Sequence, residues 1–160
     1  MKTATVTELK KELKLRSDED LLELCLRLSK FKKENKELLT YLLFESDNEE
    51  GFIQGVKDEV IDMFEVINRD SFFYIKKSVR KILRTLKKYI RYSQNKETEV
   101  ELLLFFCQQL QDFTPSIERN VTLMNLYDRQ IEYLRKKIDV LHEDLQHDYL
   151  IELEELEEQL

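Results

Sequence analysis

The stretch FFYIKKSVRKILRTLKKYIRY, Phe72 to Tyr92, runs for 21 residues without a Gly, a Pro or an acidic side chain. With Lys76 at the origin and about 100° per residue, Lys76, Lys77, Arg80, Lys81, Arg84, Lys87, Lys88 and Arg91 all fall within an arc of about 140°. Val79, Ile82, Leu83, Leu86, Tyr89 and Ile90 fall on the opposite side, between about 220° and 340°. A strand alternates every second residue and cannot sort the two classes this way. The pattern predicts one long helix with an apolar face to bury and a cationic face left over.

The rest of the chain follows the same period. Its 160 residues contain 2 Gly and 1 Pro, where average usage would place about 11 and 8. The turn chemistry required by many short strands is missing, which excludes a sandwich or barrel. A hydrophobic content of 42% and a charged content of 37% exclude intrinsic disorder on one side and a membrane span on the other. The longest apolar run, Leu102 to Cys107, has six members, against the roughly 18 that cross a bilayer. The opening MKTATVTELKKELK has no apolar stretch behind its charges, so no secretory signal is read and the expected location is the cytoplasm.

Breaks in the periodicity divide the chain. Thr5 with Glu8 forms a capping box for a short helix to Leu15, and Ser17 followed by Asp18, Glu19 and Asp20 starts a second that runs to about Phe31. KENKELLTYLLFE, residues 33–45, is apolar around much of its circumference and is expected to be a central core helix. Ser46 to Gly51 reads as a loop, with a helix from Phe52 to about Ile67. Asn68 to Ser71 connects to the long cationic helix, and Ser93 to Asn95 breaks before Glu97 to Phe113, whose VELLLFFCQQL is the most apolar window in the chain. Thr114 and Pro115 mark a boundary at which Thr can cap and Pro can open the next helix. From Ser116 to Leu160 there is no Gly or Pro, giving one long helix or two with a kink near His147.

The expected fold is all-α: an irregular multi-helix bundle of about six to eight helices in a single domain over 1–160, with 148–160 an acidic tail that frays or docks last. The alternative is a short, HEAT-like stack of helical hairpins. It rests on a shared Glu-Leu-Leu-x-aromatic core in KELLTYLLF (36–44) and VELLLFFCQ (100–108).

Most chemistries lack their residues. Cys25 and Cys107 lie in apolar helical sequence far from each other and read as small core side chains. The two histidines, His142 and His147, each follow an Asp by three residues. That spacing is the local half of a carboxylate-bridged di-iron site, but the site needs pairs on two helices, and these lie together on one. No phosphate loop, nucleophile elbow, metal-binding Cys pair or calcium loop occurs. The expectation is a non-enzyme with no catalytic, metal or cofactor-binding residues and no cofactor. Gly51 and Gly55 spell GxxxG, read as a loop residue and a tolerated gap in a helix.

One feature of the charge distribution stands out. Ser71 to Lys96 holds nine basic residues and no acidic one, so the net charge of −7 divides into +9 there and −16 elsewhere. Like charges at i, i+4 repel by a few tenths of a kcal/mol per pair, and something should offset them. One candidate is the chain's own acid, either Asp139 to Glu158, with nine acids and no base, or Glu49 to Asp70. The others are an acidic protein surface, nucleic-acid phosphates or an anionic membrane. An overall pI near 5.1 disfavours nucleic acid. A homodimer in which each acidic tail meets the other chain's basic helix is a further expectation. The candidate interaction face is therefore Lys76, Lys77, Arg80, Lys81, Arg84, Lys87, Lys88 and Arg91.

LKKELKLRSDEDLLELCLRLSKFKKENKELLTYLLFE resembles the opening of an uncharacterised bacterial all-helical family, in which a Lys-rich helix precedes a Ser-capped helix and a Lys-x-x-Lys-Glu segment. The resemblance covers about the first 45 residues. It implies a small helical protein and brings no activity or site residues. The function expected from the whole chain is a protein-interaction or scaffold module using the cationic face, with a nucleic-acid-binding accessory role as the alternative.

Overall fold

The structure, a computed structural model, describes residues 1–160 and contains eight α-helices and no strand. They are α1 (Val6–Leu13), α2 (Asp18–Phe31), α3 (Lys33–Thr40), α4 (Glu49–Glu65), α5 (Phe72–Ser93), α6 (Lys96–Gln111), α7 (Val121–Ile138) and α8 (Glu143–Glu158). A π-helical turn, Tyr41–Glu45, follows α3, and a 3-10 turn, Ile117–Arg119, precedes α7. No helix is long and apolar enough to cross a membrane. The chain divides into two compact units, Met1–Phe44 and Glu45–Leu160.

In the first unit the predicted caps form. The Thr5 hydroxyl accepts from the Glu8 amide at 3.3 Å while Thr5 N donates to Glu8 Oε2 at 2.7 Å, and the Ser17 hydroxyl accepts from the Asp20 amide at 3.2 Å. α2 and α3 pack as a hairpin. The expectation that 33–45 is a central core helix is wrong: Tyr41 is its one buried residue, while Leu43 is 61% and Phe44 76% exposed. Apolar periodicity says that a helix can be buried and not whether a partner surrounds it. Cys25, expected in a core, is exposed for the same reason.

In the second unit α6 is the axis. It packs against α4, α5, α7 and α8, and its buried residues, among them Val100, Leu102, Leu103, Phe106, Cys107 and Leu110, cover most of its circumference. One helix meeting four others is bundle geometry. A hairpin stack, in which each repeat touches only its neighbours, would not produce it. Phe64 of α4 lies 5.9 Å from the Phe106 ring and 6.0 Å from that of Phe113. Glu49, in the first turn of α4, accepts from the hydroxyls of Ser93 and of buried Thr98, tying that helix to the α5–α6 connection.

Three boundaries move. Gly51, expected in a loop, lies in the first turn of α4, where its amide donates to the Asn48 side chain at 3.1 Å. No long helix begins at Pro115. Ser116 caps the 3-10 turn, and α7 starts six residues after the Pro under Asn120, whose Oδ1 accepts from the Leu123 amide. The break in the last segment falls at Asp139–His142, earlier than His147 and without Gly or Pro. His142 Nδ1 accepts from the Asp144 amide, and Gln146 Nε2 donates to the carbonyls of Asp139 and Leu141 at 3.0 and 2.8 Å. Asp139 and His142 therefore sit in a connection rather than on one helix with Asp144 and His147. α8 stays helical to Glu158, with Leu153 and Leu156 buried.

Candidate functional site

The apolar face of α5 is locked into the second unit. Ile75, Val79, Ile82 and Leu86 are essentially inaccessible, and Leu83, Ile90 and Tyr92 are buried at the margins. Tyr89, on the edge of that face, donates to Glu59 Oε2 of α4 at 2.7 Å and meets the Phe52 ring edge-on. With this side fixed, helical geometry leaves the cationic side no freedom to turn inward.

The side chains of Lys77, Arg80, Lys81, Arg84, Lys87 and Arg91 are exposed, and those of Lys76 and Lys88 are partly so. All eight predicted residues therefore lie on one surface of one rigid helix. Lys76, Lys77, Arg80, Lys81, Arg84, Lys87 and Arg91 form no ion pair within the chain. Five like-charged pairs stand at i, i+4 along this face: 76/80, 77/81, 80/84, 84/88 and 87/91. Their repulsion is intrinsic to the helix.

Of the two acidic segments, α4 packs on α5, where Glu59 accepts from Tyr89 and Glu49 from Ser93, and α8 packs elsewhere. α8 packs on α6 and α7, and its ion pair is made by Glu157 with Arg135 of α7 at 2.6 Å. Hydrogen bonds from the Tyr127 hydroxyl and Gln111 Nε2 to the Leu156 carbonyl hold the same end of α8. In α4, Glu59 accepts from the hydroxyl of Tyr89.

The cationic surface extends beyond α5. Lys87 Nζ lies 5.8 Å from the centroid of the Tyr133 ring on α7, and Lys137 Nζ lies 5.1 Å from the same ring. Glu99 of α6 accepts from the Tyr133 hydroxyl at 2.5 Å and pairs with Lys137 at 3.2 Å. Burial, then the bond to Glu99, raises the Tyr133 hydroxyl pKa, so that it stays protonated and holds the ring in place. Sequence reasoning missed Tyr133, because no local pattern relates it to Lys87 on a different helix.

The side of α6 facing α4 and α8 is anionic. A cleft of about 510 Å³ there is lined by Glu101, Tyr149, Glu152 and Glu155, with Lys57 as its base. Lys57 pairs with Glu101 at 2.6 Å. Burial, then the neighbouring Glu101, pushes the Glu152 carboxyl above the ordinary carboxylate range. The charge segregation of the sequence is thus a segregation in space.

The remaining singled-out groups stand apart from this face. Cys107 is wholly buried and its thiol is pushed up to about 12 by that burial. His142 caps α8, and His147 is exposed on that helix. Neither protein-family models, curated proteins nor solved structures give a match to this chain.

Proposed function

We propose that this protein is a non-enzymatic protein-interaction module whose α5 face docks an acidic protein surface. The observation that carries the reading is the set of exposed cations on α5 without carboxylate partners, in a chain that has 33 acidic residues to offer. Four of the repulsive pairs, 76/80, 77/81, 80/84 and 87/91, join cations that form no ion pair within the chain, and such a cost is typical of a surface kept for something outside the chain. Because the opposite side of α5 is packed, the backbone that carries the charges is held in place, and docking has only their side chains to order. Complementary charge of this kind sets encounter rate and orientation more than raw affinity.

The second reading is a nucleic-acid-binding accessory role. The Tyr133 ring between Lys87 and Lys137 favours it, since aromatic rings among cations suit single strands. The net charge of −7 and the anionic cleft between α4, α6 and α8 oppose it, because a long polyanion would meet repulsion beyond the α5 face.

A fluorescence-anisotropy titration of the full chain separates the two. The probes are a labelled polyglutamate peptide, a single-stranded oligonucleotide and a duplex, each followed over a salt series starting from about 50 mM. Preferential binding of the peptide, weakening as salt rises, is the expected result. Tighter binding of either nucleic acid overturns the leading reading in favour of the second, and no binding of any probe overturns both.

A further inference from the structure

The first unit has an unusual surface for so small a body. Val6, Leu9, Leu13, Leu15, Leu22, Leu24, Leu26, Leu28 and Phe31 are all exposed, Val6 and Leu15 by about four-fifths. Scattered exposed leucines are ordinary, whereas a run of this density marks a contact surface. Neither α1 nor α3 buries a single residue.

Both halves of a matching pair are present in this unit. α1 is a well-made helix, closed by a complete capping box, yet eight residues are too few to be stable in water without packing. Its Val6, Leu9 and Leu13 step by three and four and form one stripe. Between α2 and α3 runs an apolar groove of about 220 Å³, lined by Cys25, Leu28, Ser29, Leu38 and Leu39. Asn35, also in its lining, ties α3 to α2 by donating from Nδ2 to the Leu28 carbonyl at 2.8 Å. A stripe of three anchors seated in such a groove is a recurrent mode of helix recognition.

Charge selects the occupant. The end of α1 and the residues after it carry Lys10, Lys11, Lys14 and Arg16, while α2 opens with Asp18, Glu19, Asp20 and Glu23. Within the chain Arg16 reaches only Glu12 of its own helix, at 4.0 Å. We propose that the first unit is a self-association module, in which α1 of one copy seats its apolar stripe in the α2–α3 groove of a second copy and the exchange is reciprocal. The basic end of each α1 then lies against the acidic start of the other copy's α2. A two-fold contact of this kind closes on itself and leaves no free half. The 44 residues of the unit can supply the roughly 20–30 residues per side of a standard interface. This inference does not depend on the α5 face.

Sedimentation equilibrium of the full chain over a concentration series tests it, with Leu9→Glu in α1 and Leu28→Glu in the groove as separate variants. Both positions are exposed, so circular dichroism and melting should match the wild type. The expected result is a species of twice 19.4 kDa for the wild type and a monomer for each variant. Labelling of Cys25 by a thiol reagent should also slow by at least about threefold as the wild type is concentrated, since the docked helix would cover it. A wild type that stays monomeric up to about 100 μM overturns the proposal. So does a dimer that both variants retain, which would place the contact elsewhere. A monomer that co-sediments with anionic phospholipid vesicles, and loses this through Leu9→Glu, also overturns it and assigns the stripe of α1 to a membrane surface. Polyglutamate binding that persists in monomeric variants would leave the α5 reading standing on its own.

Discussion

Arg135 Nη2 lies 2.6 Å from both carboxylate oxygens of Glu157, so the acidic C-terminal helix is joined to α7 and not to the cationic helix α5. The pair is half exposed at 47% and 38%, and exposed pairs of this kind contribute about 0.2–1 kcal/mol. Leu153 below it is fully buried. Arg135→Ala is therefore expected to lower stability by less than about 1 kcal/mol, and Leu153→Ala by about 2–5 kcal/mol. Urea titrations of the two variants check the order. A larger loss for Arg135→Ala would mean that charge rather than packing docks α8.

The scarcity of glycine has a local counterpart. Gln94 ends α5 in the left-handed region at φ 53°, a conformation that favours Gly, while Gly55 occupies the exposed interior of α4 with open space where a Cβ would stand. Gln94→Gly should stabilise by about 1 kcal/mol and Gly55→Ala by about 0.5–1 kcal/mol. Thermal melts of the single and double variants should show roughly additive gains, since the two sites are independent. A loss at either site would contradict the backbone geometry described for it.

The two cysteines should differ sharply in reactivity. Cys25 is exposed, whereas Cys107 is buried with a thiol pushed up to about 12, so almost no thiolate is present near neutral pH. A chromogenic disulfide reagent should modify one thiol per native chain at low protein concentration and two after unfolding. Rapid modification of both in the native state would contradict the packing of α6.

Glu152 should make stability depend on pH in the direction opposite to a paired carboxylate. Its folded pKa is raised by burial and by Glu101, so the folded state resists ionisation more than the unfolded one does. The resulting loss of stability is fully present above the folded pKa and disappears as pH falls below the unfolded value. Glu152→Gln is expected to raise the melting temperature near pH 7 and to leave it unchanged well below the ordinary carboxylate range. An equal effect at both pH values would assign the change to packing.

How much of this was legible depended on whether the relevant information was local. The two faces of α5 and the caps at Thr5 and Ser17 follow from residues three or four apart, and they appear in the structure as read. The apolar windows at 33–45 and 97–113 looked alike in sequence, but only the second is surrounded by other helices. The α7–α8 break falls before the kink expected near His147, because His142 makes it through a side-chain cap, without the Gly or Pro that usually signals one. Tyr133 could be assigned to the cationic surface only once α5 and α7 were placed beside each other.

The external role of the α5 face is decided by polyglutamate affinity and melting temperature of the variant Lys81→Glu, Arg84→Glu, Arg91→Glu compared with the wild type. These exposed side chains hold nothing within the chain, and reversing them converts like-charged i, i+4 pairs into attractive ones worth a few tenths of a kcal/mol each. The predicted result is an affinity loss of at least about tenfold together with an unchanged or slightly raised melting temperature. Unchanged affinity, or a clear fall in melting temperature, would contradict the claim that this face is kept for an external acidic partner.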